Sequence, residues 1–240
     1  GDLAGDRNMT GRELKKLSEY FADAGSVLPG LIRSLKVEYR IVSDLVDQIE
    51  NGKLSEEATE WLWCGRIVSF ANKNRLPRYF FLPNKTKLML AGFYRDIIKD
   101  APLFYKDIKQ YTDEETILRT RNVNVFNLLI HPNAIGRIIN SFMAPSVTSL
   151  LERKYRTEAQ VSGIQIIIAC RLYEKEEGTI PDGLPTLVPD YLENVPLDPY
   201  DGQPFRYSMK NGIAYSIGKD LVDSGGVPCG ENYDEGDIVF

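Results

Sequence analysis

The sequence has little of the residue types that build metal centres and nucleophilic catalytic sites. It contains one histidine, His131, and three cysteines, Cys64, Cys170 and Cys229, which lie far apart and form no CxxC pair. Zinc ribbons and thioredoxin-type motifs need such pairs, so both are excluded. A single imidazole also excludes most metal-hydrolase designs and leaves one candidate base for a histidine triad. We interpret His131, which precedes a proline, as a capping or packing residue, and Cys170 as a small core residue; a disulfide between two of the cysteines stays open.

Other absences concern membranes, nucleic acids and catalytic loops. No stretch reaches the roughly eighteen consecutive apolar residues that a membrane span needs. The net charge is −5, and Lys and Arg are scattered rather than gathered in a stripe, which excludes a nucleic-acid partner. No G-x-S-x-G, H-E-x-x-H or Gly-rich phosphate loop is present. The polar stretch that follows Gly1 has no signal-peptide character, and we expect that a leader or a membrane anchor has been trimmed from it.

What the sequence does contain is enough apolar material for a sizeable core, since 43% of its 240 residues are hydrophobic. We predict an α+β protein with two domains. Residues 1–145 are expected to form a mainly helical bundle. Residues 146–240 are expected to form a long spine helix followed by a small three-stranded antiparallel sheet.

Helix boundaries in the first domain are marked by capping residues. Thr10 and Glu13 have the spacing of a capping box at the start of the first helix. Ser26 opens a second apolar-periodic run that Asn51-Gly52 can terminate. Asn84 is predicted to cap a further helix.

The spine helix is the longest helical pattern in the chain. A helix over residues 134–143 is expected to break at Pro145, and a second one over residues 146–177 carries a wide apolar stripe. Gly178 supplies its C-terminal stop.

The remaining residues read as a small antiparallel sheet. Asn211-Gly212 lies between two alternating runs and predicts a hairpin with a type I′ turn, because both central residues of that turn need positive φ. We expect strands near residues 204–208, 213–217 and 237–240.

The loop between the last two strands is rich in carboxylates. Such a loop, held at both ends by strands, suits Ca²⁺, which takes six to eight oxygen ligands. Aspartates also occur in turns because they bond neighbouring backbone N–H groups, so ordinary turn residues are the alternative. The acidic residues of this loop are Asp220, Asp223, Asp234, Glu235 and Asp237.

Seven short motifs follow one another between residues 157 and 240: Arg171-Leu172-Tyr173, Gly178-Thr179-Ile180-Pro181, Leu187-Val188-Pro189, Pro196-Leu197-Asp198-Pro199-Tyr200-Asp201-Gly202, Phe205-Arg206-Tyr207, Tyr215-Ser216-Ile217-Gly218 and Asp237-Ile238. In this order they resemble the C-terminal domain of the major pseudopilins of type II secretion systems. That domain packs a short antiparallel sheet on a long helix, and it binds Ca²⁺ in the loop that follows the turn.

Carried onto this sequence, the resemblance implies a definite set of calcium ligands. The Ile217 carbonyl matches the carbonyl of the turn, and Asp220 and Asp237 match the aspartates on the two sides of the loop. Val222 offers a second carbonyl, and Asp223 offers a further carboxylate.

Two positions depart from the family pattern. Leu221 stands where the family usually has glycine, and Gly236 stands where a second aspartate would precede Asp237. Asp223 and the pair Asp234-Glu235 are candidates to compensate for them.

The amino-terminal part departs further. Pseudopilins begin with a prepilin-peptidase site and a continuous hydrophobic helix, whereas a long helical region precedes the matching part here. The overall order, with Asn133-Ala134-Ile135-Gly136-Arg137 ahead of the spine, is similar to bacterial membrane-anchored proteins that end in pseudopilin-like domains. This resemblance implies a periplasmic or other extracytoplasmic location, with or without a membrane anchor.

Three functional hypotheses follow. The first is a non-enzymatic envelope protein, related to secretion, whose C-terminal domain is stabilised by Ca²⁺ and which contacts a protein partner. The second is a small-ligand module with an aromatic groove made of Trp61, Trp63, Tyr79 and Phe80. The third is a hydrolase whose acid and base are drawn from Glu174, Glu176 and Glu177, or are Asp220 and Asp223.

Overall fold

The computed structural model describes residues 9–23, 27–53, 79–108, 132–230 and 235–240. These residues form both helices and an antiparallel sheet, which confirms the predicted α+β class. The helices are α1 (Gly11–Asp23), α2 (Leu28–Glu50), α3 (Pro83–Asp100) and α4 (Ala134–Glu177), with short 3-10 helices at Tyr105–Asp107 and Leu184–Leu187. The strands are β1 (Arg206–Ser208), β2 (Ile213–Ser216) and β3 (Ile238–Val239).

The first helix boundary is as predicted. The Thr10 amide donates to the Glu13 carboxylate at 2.8 Å, and the Glu13 amide donates to the Thr10 hydroxyl at 3.3 Å, which completes the capping box. Helix α2 ends just before the predicted Asn-Gly pair, and Gly52 adopts a positive φ of 65° there. The predicted start of α2 at Ser26 lies outside the described residues.

The predicted cap of α3 is wrong. Asn84 lies inside the first turn rather than before it, because the helix begins at Pro83 with Leu82 as the capping residue and no side-chain cap. Proline suits the first helical position, since its missing N–H would have had no intrahelical acceptor. The fixed φ of Pro83 therefore favours the start of α3, in place of the expected side-chain cap.

Helix α4 runs without interruption over 44 residues, so the predicted break at Pro145 is wrong. A proline inside a helix removes one backbone hydrogen bond and costs about 3 kcal/mol. Apolar residues on both sides of it, Ile139 and Val147 among them, are completely buried, and their packing offsets that cost. No described helix combines the length and the apolar character that crossing a bilayer requires.

The chain divides into two compact units. The C-terminal unit comprises the described residues of Gly1–Val27, Leu103–Ile108 and Glu152–Phe240, and the helical unit comprises those of Leu28–Pro102 and Lys109–Leu151. The grouping differs from the predicted ranges 1–145 and 146–240, because α1 and residues 103–108 belong with the C-terminal part.

In the helical unit, a buried asparagine ties the start of α3 to the start of α4. Asn133, at φ 64°, accepts hydrogen bonds from the Leu82 amide at 2.8 Å and from the Thr86 hydroxyl at 3.0 Å. A Cβ on Gly136 would lie 2.0 Å from the Thr86 hydroxyl oxygen, so glycine is required there. The Asn133-to-Arg137 motif therefore has a structural role in this unit.

In the C-terminal unit, α1 packs against the last turns of α4 through a cluster of Leu14, Ile168 and Leu172. Residues 103–108 pack on the loop that precedes the sheet. The Tyr105 amide donates to the Pro199 carbonyl at 3.0 Å, and the Lys106 amide donates to the Tyr200 carbonyl at 2.9 Å.

The sheet is three-stranded and antiparallel, in the order β1-β2-β3, as predicted. The β1–β2 hairpin is present, but its predicted type I′ turn is wrong. Residues 209–212 form a four-residue turn in which Gly212, at φ 64°, has positive φ and Asn211 does not. Hairpin loops of this length do not need positive φ at two successive residues.

Candidate functional site

The acidic loop, which we define as residues 217–230 and 235–237, leaves the end of β2 and returns to the start of β3. Its return is fixed by backbone hydrogen bonds: the Asp237 amide donates to the Val227 carbonyl at 2.9 Å, and the Cys229 amide donates to the Asp237 carbonyl at 2.8 Å. The outgoing and returning arms also touch, because a Cβ on Gly218 would lie 2.7 Å from the Gly236 carbonyl oxygen. Asp234 lies outside the described residues, and Glu235 is exposed.

Asp237 is completely buried on the returning arm. The Gly226 amide donates to Oδ2 at 2.7 Å, and the Ser224 amide donates to Oδ1 at 3.3 Å. Burial raises the pKa of Asp237 above its ordinary value; the two amides oppose that rise, and the carboxylates of Asp223 and Asp220 add to it. Both neighbouring carboxylates therefore disfavour the charged form of Asp237.

Asp220 connects the two arms of the loop. Its Oδ1 accepts a hydrogen bond from the Val222 amide at 3.1 Å, and its Oδ2 accepts one from the Gly236 amide at 2.8 Å. The first bond is the local turn expected of an aspartate. The second spans 16 residues of sequence and could not be read from the local pattern.

Asp223 is half exposed and has mixed partners. Its Oδ1 accepts hydrogen bonds from the Gly225 amide at 2.9 Å and from the Tyr215 hydroxyl at 3.2 Å, while Oδ2 lies 3.6 Å from Arg206 Nε. The guanidinium thus compensates part of the charge of this residue.

The two residues implied as carbonyl ligands lie at different places on the loop. Ile217 is buried directly after β2, and its amide donates to Asp198 Oδ2 at 2.9 Å. Val222 is exposed and lies between Asp220 and Asp223 in the sequence. Both stand on the outgoing arm, where the predicted ligand set requires them.

The donor set fits a hard cation in chemistry but is not assembled around one. Among the described residues, no three acidic, histidine or cysteine side chains are grouped so as to hold a metal ion. Each of the three carboxylates is instead bonded to backbone amides. A carboxylate has about four lone-pair sites, so these bonds leave acceptor capacity for an ion. Binding would therefore require small movements of the carboxylates from their present positions.

The two departures from the family pattern have backbone consequences. Gly236 adopts φ 92°, and a Cβ there would lie 3.1 Å from Cys229 Cα and 3.2 Å from the Val227 carbonyl oxygen. The Cβ of an aspartate at this position would crowd the backbone of Cys229 and Val227, so glycine is required. Leu221 adopts φ 59° without being glycine, a conformation that costs an L-residue about 1–2 kcal/mol.

A second aspartate group lies beneath the acidic loop and was not predicted as part of a site. Asp198 is completely buried and accepts hydrogen bonds from the Ser216 hydroxyl at 2.9 Å and from Arg206 Nη1 at 3.2 Å. Arg206 Nη2 donates to Asp201 Oδ2 at 2.5 Å. Burial raises the pKa of Asp198, against the hydrogen bonds from the Tyr200 and Ile217 amides.

The sequence carries a signal for this group. The motif Pro196-to-Gly202 places Asp198 and Asp201 three residues apart in a turn, and a single arginine follows on the next strand. We name Asp198, Asp201 and Arg206 the arginine network. It joins the turn, β1 and the end of β2.

Of the three glutamates proposed as an alternative acid and base, Glu174 and Glu176 are engaged in ion pairs, and Glu177 is exposed. Glu174 accepts from Arg171 at 2.8 Å, and Glu176 lies 3.1 Å from Lys15 Nζ. The hydrogen bond from Lys15, followed by one from Tyr191, lowers the pKa of Glu176. A lowered pKa opposes a general-acid role at neutral pH.

The other predicted residues lie partly outside the described residues. Trp61, Trp63, Cys64 and His131 lie outside the described residues. Tyr79 and Phe80 are described, and their rings meet edge to face with centroids 5.4 Å apart. Cys170 and Cys229 are free thiols.

Comparison with models of protein families, with curated proteins and with solved structures gave no match.

Proposed function

We propose that the protein is a non-enzymatic component of the bacterial cell envelope, with a structural or protein-interaction role related to secretion. Its C-terminal unit would be a pseudopilin-like domain stabilised by Ca²⁺. The observation that carries the proposal is the approach of the two arms of one loop. Asp220 accepts a hydrogen bond from the Gly236 amide, next to Asp237, and Asp237 accepts one from the Ser224 amide, next to Asp223.

Charge balance supports a cation at this place. Five aspartates of the described residues lie on the loop or in the turn before β1, and the guanidinium of Arg206 is shared among Asp198, Asp201 and Asp223. Asp220 and Asp237 depend on backbone amides for compensation. A hard divalent cation matches the all-oxygen donor set and would offset the remaining repulsion.

The residues that would hold the ion are Asp220, Asp223 and Asp237, with the carbonyl groups of Ile217 and Val222. Bound Ca²⁺ would supply a charged cross-link between the outgoing and returning arms. It would thereby fix a loop whose glycines, Gly225, Gly226 and Gly236, all adopt positive φ and would otherwise favour many conformations.

An extracytoplasmic location is consistent with such a site. Extracellular calcium modules bind at about 10⁻⁴ to 10⁻³ M, so a loop that must rearrange to bind would still be occupied where calcium is abundant. Exposed apolar side chains on the same loop, Leu221, Val222 and Val227, provide a surface for a protein partner, and an ordered loop would hold that surface in one shape.

The proposal is tested by thermal melts of the chain in excess Ca²⁺, in Mg²⁺ and in EDTA. Binding that occurs only in the folded state should raise the free energy of unfolding by about 2.7 kcal/mol at a hundredfold excess over Kd. For a protein of this size that corresponds to about 5–10 °C. Melts that superimpose in Ca²⁺ and EDTA would contradict the proposal, whereas Mg²⁺ should have the smaller effect because it demands a stricter octahedral geometry.

A further inference from the structure

A cavity of about 200 Å³ lies in the C-terminal unit between α4 and the face of the sheet. It is separate from the acidic loop, since none of its lining residues belongs to that loop. The cavity is partly open to solvent. Its lining comes from α4, from the segment after it and from the sheet, and combines the apolar Ile166, Ile167 and Phe240 with the polar Arg171, Glu174 and Tyr207.

The size of the cavity decides the size of a ligand. An engineered protein cavity of about 150 Å³ with apolar walls stays dry and binds benzene. Sites for drug-sized molecules are larger, at about 300–1,000 Å³. The cavity at α4 therefore suits one or two fused rings rather than a larger cofactor.

The polar groups at the cavity are uncharged or mutually compensated at neutral pH. Arg171 Nη1 donates to Glu174 Oε2 at 2.8 Å, so the two charges at the wall form a pair. Burial raises the pKa of the Cys170 thiol to about 11, and burial also raises the pKa of the Tyr207 phenol, so both stay protonated. A charged ligand would lose its hydration here, and it would find no counter-charge in the wall that is not already paired.

We propose that this cavity binds a small uncharged aromatic molecule that carries a single hydrogen-bonding group. The ring would lie against Ile166, Ile167 and Phe240, and its polar group would face the Tyr207 hydroxyl or the Arg171–Glu174 pair. Indole is the simplest probe of this class. The proposal does not depend on calcium binding.

The cysteines of the chain allow a direct test without any substitution. Cys170 lines the cavity, whereas Cys229 is a free thiol on the acidic loop, away from it. The alkylation rate of each thiol is measured in the intact chain with N-ethylmaleimide and peptide-resolved mass spectrometry, with and without indole. At an indole concentration of ten times Kd, the labelling of Cys170 should slow about elevenfold, with the rate at Cys229 unchanged.

A charged analogue tests the ligand class. Indole-3-acetate has the same ring system with a carboxylate, and we expect it to protect Cys170 much less than indole does. Three results would overturn the proposal: an unchanged rate at Cys170 up to the solubility limit of indole, an equal slowing of both thiols, or equal protection by the charged analogue.

Discussion

Asp198 and Asp237 are both completely buried in the C-terminal unit, but their carboxylates have different partners. Asp198 meets the guanidinium of Arg206 in addition to two amides and a hydroxyl, whereas Asp237 accepts hydrogen bonds from two amides and lies near two further carboxylates. A buried charge is costly unless it is paired. The arginine network is therefore complete within the protein, and the acidic loop is the place where an external cation would complete the compensation.

The largest expected effect on stability comes from a substitution that breaks the arginine network. Arg206→Met removes the guanidinium and leaves Asp198 buried without a counter-charge, which should lower the free energy of unfolding by about 3–5 kcal/mol. Lys210→Met, at an exposed position in the hairpin turn, is the control and should change it by less than about 0.5 kcal/mol. Urea denaturation measures both variants, and equal stabilities would show that the network contributes nothing.

Gly236 tests how closely the two arms of the acidic loop must approach. Gly236→Ala places a Cβ 3.1 Å from Cys229 Cα at φ 92°, and we expect a loss of about 1–3 kcal/mol. Gly230→Ala is the matched control, because no atom of the described residues lies within 4 Å of its added Cβ and its φ is not positive. If both variants melt at the same temperature, the close approach of the two arms does not limit stability.

The pH dependence of the calcium response tests the role of Asp237. The folded pKa of Asp237 is raised above 3.8, so without calcium this group favours the folded state more as the pH falls through that pKa, and less as it rises. Protonation also removes the charge that would bind Ca²⁺. The stabilisation by Ca²⁺ should therefore be full near pH 7 and decline toward about pH 4, by up to about 1.4 kcal/mol per pH unit for each proton displaced.

This decline is measured as the difference in melting temperature between Ca²⁺ and EDTA across the pH series. Asp237→Asn has no carboxyl group at this position and should show a small difference at every pH. A wild-type difference that stays constant from neutral to acid pH would contradict the assignment of Asp237 as a ligand.

The smallest expected effect on stability concerns the positive φ of Leu221 in the acidic loop. Leu221 adopts φ 59°, so Leu221→Gly should relieve about 1–2 kcal/mol of strain and lose part of that gain to the greater freedom of glycine in the unfolded chain. We expect a net stabilisation of about 0.5–1 kcal/mol. Val222→Gly, at a neighbouring residue without positive φ, should instead destabilise by a similar amount, and denaturant midpoints distinguish the two signs.

The sequence was a good guide where the determining interactions are local. The Thr10–Glu13 capping box spans three residues, and the Asn211-Gly212 pair lies in the turn that joins β1 to β2. Pro145 shows the limit of such reasoning, because α4 continues through it and the burial of residues on either side, such as Ile139 and Val147, cannot be read from the local pattern. The four-residue turn at 209–212 was misjudged for a related reason, since the register of the two strands sets the loop length.

The candidate site was predictable in its residues but not in its partners. The motif order pointed to Asp220 and Asp237, and the acidic composition of the loop pointed to Asp223. Their hydrogen bonds to distant amides, such as that of Gly236, depend on how the two arms meet. The arginine network was missed because Asp198 and Arg206 come together only when the turn folds onto β1.

The central claim is that the acidic loop binds Ca²⁺ through carboxylates from both of its arms. Isothermal titration of the wild-type chain with Ca²⁺ tests it most directly, together with Asp237→Asn in the loop and Asp182→Asn at an exposed position outside it. We predict one binding event in the wild type and in Asp182→Asn, and its loss in Asp237→Asn. No heat of binding in the wild type, or equal binding by Asp237→Asn, would contradict the account.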